Sequence, residues 1–120
     1  MEHCKEALLL IDEHVLPFTK FGEGQLIVLK MKGDFSRYLA EYTNERADHK
    51  KWIEQTNQAY NQGIAISKSV LDPCNFVRVG LCVNYSIFVA DIEKNYERAI
   101  ELARSTLEEI KEYSPGTKDA

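Results

Sequence analysis

The stretch KMKGDFSRYLAEY, residues 30–42, decides how the rest of the chain is interpreted. Its apolar residues recur at the three- and four-residue spacing of an amphipathic helix, yet Gly33 lies in its interior. A glycine inside a helix costs about 1 kcal/mol relative to alanine. We therefore expect a second helix or a ligand to approach the backbone closely at Gly33.

Length and composition are those of one folded domain. The chain has 120 residues, 44% of them hydrophobic and 28% charged. The net charge of −4 gives no general attraction to phosphate backbones or anionic lipid, so we expect neither nucleic acid nor a membrane as a partner. The three cysteines are odd in number and lack paired short spacing. They predict a reducing, cytoplasmic setting, and the N-terminus lacks the basic region of a signal peptide.

Helical spacing recurs almost throughout, and no strand pattern competes with it. The sequence predicts an all-α protein, an antiparallel array of about five helices in a single domain. Proline-containing turns end the first, third and fifth helices, and asparagines cap the fourth and fifth: Pro17, Pro73, Asn75, Asn95 and Pro115. The predicted ranges are 2–16, 23–42, 50–71, 76–93 and 96–113, followed by a polar tail at 114–120.

The second helix has an apolar face beside a charged stripe. We predict that the core face consists of Ile27, Met31, Phe35, Tyr38, Leu39 and Tyr42. The stripe consists of Lys30, Asp34, Arg37 and Glu41. Arg37, Lys30 and the Tyr38 hydroxyl form a plausible cradle for a phosphate monoester. A solvated face with weak ion pairs explains the same stripe, and both interpretations stay open.

The fourth helix is nearly all apolar between residues 80 and 92, but four positions fall in one line: Gly80, Asn84, Ile87 and Asp91. An unsatisfied amide in such a helix would cost about 1–3 kcal/mol. Asn84 therefore bonds either a neighbouring helix or the main chain of a ligand. Val83 and Ile87 would form the apolar wall beside it, and Asp91 would bond a ligand amide or cap a neighbour.

Three blocks together resemble the 14-3-3 family of phosphoserine- and phosphothreonine-binding adaptors. They are LKMKGDFSRYLAEY, QAYNQGIAISK and RVGLCVNYSIFVADI, at residues 29–42, 58–68 and 78–92. The resemblance runs from about Cys4 into the fifth helix. It implies a partial 14-3-3-like fold, since a complete member has nine helices and this chain is similar to the truncated fourth through the eighth.

The resemblance also implies roles for particular residues. An arginine and a tyrosine at the positions of Arg37 and Tyr38 grip the phosphate in that family. Residues matching Lys30 and Asn84 hold the peptide main chain. Those matching Val83 and Ile87 line the apolar side of the groove, where the family has a leucine at position 83. An acid, normally glutamate, borders the groove at the position of Asp91. Gly80 lies on the same line of the helix.

The expected function is therefore that of an adaptor, with phosphorylated Ser/Thr proteins or peptides as partners. The alternative is a helical scaffold that has lost phosphopeptide recognition. The segments that carry the other two basic residues of the pocket, most of the dimer interface and the opposing wall have no counterpart in this chain. We predict weak or undetectable phosphopeptide binding by the isolated chain, together with self-association through uncovered apolar faces.

No motif in the sequence indicates catalysis. His3, His14 and His49 lack the spacing of a metal site, and phosphate-binding loops of the GxxxxGK[ST] or GxGxxG form are missing. We expect no enzyme activity, no metal and no cofactor. Cys82, on the apolar fourth helix, is interpreted as a small buried hydrophobe rather than a reactive thiol.

Overall fold

A computed structural model describes residues 2–15, 17, 22–43 and 45–118. Within these residues the chain is helical and has no strand, which confirms the all-α prediction. The helices are α1 (Glu2–Leu10), α2 (Glu23–Tyr42), α3 (Arg46–Val70), α4 (Phe76–Asp91) and α5 (Tyr96–Lys118). A π-helical turn at Ile11–Val15 extends α1.

Two predicted boundaries differ from the structure. Helix α3 begins at Arg46 rather than at residue 50, because its first turn is polar and exposed and carries no apolar periodicity. Helix α5 continues to Lys118, so the predicted stop at Ser114-Pro115-Gly116 and the polar tail from residue 114 are wrong up to that point. A proline lacks one backbone donor, but its φ near −65° is compatible with a helix. The predicted end of the first helix at residue 16 lies outside the described residues.

The helices pack as a chain of neighbours. Helix α2 lies against α1, α3 and α4, and α4 lies against α3 and α5; within the described ranges α5 contacts α4 alone. The larger core cluster joins these helices through Leu26, Leu29, Tyr60, Val77, Leu81, Tyr85, Phe88, Val89 and Ala99. A smaller cluster under α1 consists of Leu8, Leu39, Ala40 and Trp52.

The core face predicted for α2 is largely wrong. Ile27, Met31, Tyr38 and Tyr42 are exposed, and the buried stripe is instead Leu26, Leu29, Gly33, Ser36, Leu39 and Ala40. Small residues occupy the stripe because α3 approaches closely. A Cβ atom built on Gly33 would lie 2.5 Å from Cε1 of Tyr60, whose side chain is fully buried. Gly33 therefore admits the aromatic ring of a neighbouring helix.

Arg78 connects three helices at the other end of the core. It is buried, with its Nη1 donating to the carbonyl oxygen of Leu71 at 2.8 Å and its Nη2 donating to Glu109 Oε1 at 3.0 Å. Leu71 follows α3 and Glu109 lies on α5, so one guanidinium fixes α4 to both. This charge-assisted pair satisfies a cation that burial would otherwise penalise.

Asn75 caps α4, as the sequence predicts. Its Oδ1 accepts from the backbone N–H groups of Val77 at 2.8 Å and Arg78 at 3.3 Å. Replacing Asn75 by alanine is expected to lower the free energy of unfolding by about 1 kcal/mol, because two N–H groups lose their acceptor. Urea denaturation measures this loss, and Asn75→Asp should recover most of it. An alanine variant as stable as the parent would show that the cap contributes nothing.

Candidate functional site

The side chain of Asp34 lies where α2, α3 and α4 meet. Its Oδ2 accepts from Lys30 Nζ at 3.1 Å, one helical turn away. Its Oδ1 accepts from Asn84 Nδ2 of α4 at 2.9 Å and from the Tyr60 hydroxyl of α3. One carboxylate thus joins a cation, an amide and a phenol from three helices.

Arg37 lies beside this cluster without being fully engaged by it. Its Nη2 is 3.8 Å from Asp34 Oδ1, which is an ion pair but too long for a hydrogen bond. Its Nε is buried and has no hydrogen-bond partner among the residues that the structure describes. The guanidinium lies 5.2 Å from the centre of the Tyr38 ring, and Tyr38 also makes an edge-to-face contact with Phe35. Arg37 therefore retains unused donors next to an exposed phenol.

Gly80 allows α2 and α4 to approach each other at Lys30. A Cβ atom built on Gly80 would lie 3.1 Å from Cε of Lys30, so the lysine stem crosses α4 over the glycine. The predicted residues Lys30, Gly80, Asn84 and Arg37 are therefore brought together around Asp34. Asn84 uses one amide hydrogen on the neighbouring helix, and its Oδ1 accepts no hydrogen bond within the described part of the chain.

The other predicted residues lie along α4. Val83 and Ile87 are 46% and 40% exposed, which is a large fraction for apolar side chains on the most apolar helix of the chain. Val83 also lines a cleft of about 240 Å³ between α4 and α5, together with Val79, Ser86, Ala103, Thr106, Leu107 and Ile110. Asp91, at the end of α4, is exposed. No contact joins it to the Asp34 cluster in the described residues.

Two site residues were missed at the sequence level. Asp34 was placed in the charged stripe but given no role, and Tyr60 was not considered for the site. Burial first, then the hydrogen bond to Asp34 and its negative charge, raises the pKa of Tyr60 above its ordinary value. The hydroxyl therefore stays protonated as a donor to Asp34. The signal that was available for Tyr60 was Gly33, whose missing side chain requires a large neighbour.

The remaining chemistry is structural. Cys82 is buried, as predicted, and burial raises the pKa of its thiol, which disfavours the reactive thiolate. None of the three cysteines forms a disulfide. The described residues contain no group of three or more His, Cys, Asp and Glu side chains placed to hold a metal ion. Among the same residues, no helix has the length and apolar character that a bilayer crossing requires.

Comparison with known proteins gives a consistent result. The sequence model of the 14-3-3 protein family matches residues 1–117. The chain is similar to 14-3-3 protein 7 of Solanum lycopersicum, with 40% identity over 106 residues that cover 88% of this chain and 42% of that protein. It is also similar to 14-3-3 protein homolog 2 of Schistosoma mansoni, with 36% identity over 88% of this chain and 49% of that protein.

A third relative is 14-3-3 protein zeta of Bombyx mori, which is 34% identical over 90% of this chain and 43% of that protein. The chain thus spans less than half the length of each of these curated relatives. The family match nevertheless extends over nearly all of its residues. The chain belongs to the 14-3-3 family.

Proposed function

We propose that the chain is an adaptor that binds phosphoserine- and phosphothreonine-containing segments of other proteins. The observation that carries the proposal is the convergence of Arg37 and Asn84 on one carboxylate, Asp34, from two different helices. A basic edge and a lone amide therefore border the same trough. Family membership supports an adaptor of this type.

The phosphate would bind at Arg37 and Tyr38. Arg37 has unused N–H donors, including its buried Nε, and a guanidinium is suited to the geometry of a phosphate. The exposed Tyr38 hydroxyl adds a neutral donor beside it. Lys30 adds a second positive charge within the same ion-paired cluster.

The peptide on either side of the phosphate would lie along α4. The Oδ1 of Asn84 is free to accept from a peptide N–H, and its remaining amide hydrogen can donate to a carbonyl. Val83 and Ile87 offer an exposed apolar wall to the peptide side chains, and Asp91 borders its end. Because this chain supplies one side of such a groove, its affinity should be weak.

The proposal includes a cytoplasmic location and no catalytic activity. The second candidate is a helical scaffold that contacts proteins without reading phosphorylation. It is favoured by one observation: Asn84 and Lys30 already have partners within the chain. Both candidates predict protein partners, and they differ in whether the phosphate matters.

An NMR titration with a phosphoserine peptide and its unphosphorylated twin, taken to millimolar concentration, separates them. The adaptor proposal predicts that only the phosphorylated peptide shifts the signals of Arg37 and Tyr38. Equal responses to both peptides, or none to either, would contradict it. Submicromolar binding would instead contradict the expected weakness of a one-sided groove.

Self-association of the isolated chain is a separate prediction. Ile100 and Leu107 of α5 and Val83 of α4 are exposed near an apolar cleft, and burying them between copies would remove apolar area from water. We expect the weight-average mass in analytical ultracentrifugation to rise with concentration. A constant monomer mass over a hundredfold concentration range would show this expectation to be wrong.

A further inference from the structure

Asp34 presents a paradox for a site proposed to bind an anion. It is a carboxylate beside Arg37 and Lys30, the two cations assigned to the phosphopeptide, and it is only partly exposed. A negative charge there repels a phosphate and offsets one of the two positive charges. If charge alone determined affinity, an uncharged residue at position 34 would be better.

The hydrogen bonds of Asp34 point to a different role. Three donors from three helices use its two oxygens: Lys30 Nζ at 3.1 Å, Asn84 Nδ2 at 2.9 Å and the Tyr60 hydroxyl. Lys30 and Asn84 carry long or rotatable side chains that would otherwise sample several rotamers. Each is held in one direction by its bond to the carboxylate.

Tyr60 fixes the carboxylate itself. Its side chain is fully buried, its ring fills the space left by Gly33, and it also lies against Tyr85 with ring centres 6.0 Å apart. The hydroxyl is therefore fixed in position on the rigid core of α3. A donor that cannot move holds Asp34 more firmly than a water molecule would.

Arg37 is treated differently from the other partners. At 3.8 Å it is attracted to Asp34 by charge but not hydrogen-bonded, so its donors are not consumed. A carboxylate with three other donors has little remaining capacity to close a two-pronged pair with the guanidinium. Asp34 thus draws Arg37 toward the trough while leaving its N–H groups available.

We infer that Asp34, anchored by Tyr60, is the positioning residue of the groove, which orients Lys30, Arg37 and Asn84 toward one bound segment. The inference rests on the proposed function for the identity of that segment. It does not rest on it for the orientation of the three side chains, which can be measured without a ligand.

The first experiment uses the 120-residue chain alone. In Asp34→Asn, the Arg37 Nε–H signal should exchange with water at least tenfold faster than in the parent, and the two Asn84 side-chain amide protons should move toward the shifts of an exposed amide. Glu41→Gln removes the same charge from an exposed position of the same helix and should change neither signal. Unchanged Arg37 and Asn84 signals in Asp34→Asn would overturn the inference.

Tyr60→Phe provides a second variant that keeps the charge of Asp34 and the ring that packs on Gly33. It should shift the Asn84 signals in the same direction as Asp34→Asn, by a smaller amount, because the carboxylate loses its anchor but not its other partners. If Asp34→Asn fails to fold, this variant decides: Asn84 signals identical to the parent would overturn the anchoring role of Tyr60.

The second experiment measures the dissociation constant of the phosphoserine peptide. A positioning role predicts at least fivefold weaker binding by Asp34→Asn, although that change removes a repulsive charge; Glu41→Gln should bind like the parent or slightly tighter. Tighter binding by Asp34→Asn would overturn the positioning role. A parent chain that ignores phosphorylation would refute the proposed function, while the ligand-free signals would still decide the role of Asp34.

Discussion

Replacing Gly33 by alanine is expected to lower the free energy of unfolding by about 2 kcal/mol, although alanine is the better helix former by about 1 kcal/mol. The new methyl group would lie 2.5, 2.6 and 2.9 Å from three atoms of the Tyr60 ring. The ring cannot retreat cheaply, since it is fully buried and its hydroxyl is bonded to Asp34. Overpacking of a filled core costs roughly 1–3 kcal/mol, and three contacts below 3 Å favour the upper end of that range.

Thermal or urea unfolding measures the effect, and Gly24→Ala is the matched control. Gly24 is an exposed glycine in the same helix, so alanine there should be neutral or stabilise the chain by up to about 1 kcal/mol. In a Tyr60→Leu background the Gly33→Ala change should cost much less, because the ring that it meets is gone. Equal costs in both backgrounds would show that contact with Tyr60 is not the cause.

The helices could be predicted because their signals are local. The α2 boundaries agree with the predicted 23–42, and the asparagine that caps α4 is recognisable from residue type and position. The start of α3 and the end of α5 could not be predicted in the same way. Each has an exposed, polar terminal turn, so no periodic burial marks it, and a proline near a helix end restricts the chain without always stopping it.

The core face of α2 could not be predicted from hydrophobicity. The residues that α3 covers include Gly33 and Ser36, which contribute little apolar area, while the larger Ile27 and Met31 remain exposed. Burial in α2 follows from how closely α3 can approach, and that depends on small side chains and on Tyr60. A moment of hydrophobicity weights large side chains and therefore favours the wrong face.

The candidate site was predictable in its members but not in its centre. Spacing placed Lys30 and Arg37 on one stripe and singled out Asn84 as an anomalous amide. Neither observation specifies that both helices meet at Asp34, since that contact joins residues fifty positions apart. A carboxylate inside a basic stripe has the same sequence signature whether it is a weak surface ion pair or the meeting point of three helices.

Replacing Arg37 by glutamate is expected to abolish the difference in affinity between a phosphoserine peptide and its unphosphorylated twin. Hydrogen bonds to charged groups contribute about 1.5–3 kcal/mol each, so the loss of even one corresponds to a tenfold or greater weakening. Reversing the charge adds repulsion of the phosphate. The new carboxylate would also face Asp34, which the present guanidinium approaches to 3.8 Å, so some loss of thermal stability should accompany the change.

Two further variants make the result specific. Arg104→Glu reverses an exposed arginine on α5, a helix that does not contact α2 within the described residues, and should leave the phosphate dependence intact. Arg37→Lys keeps the charge near Asp34 but loses the planar fork, so it should retain stability and part of the binding. If folded Arg37→Glu still prefers the phosphorylated peptide, the phosphate binds elsewhere and the adaptor mechanism assigned to this groove is wrong.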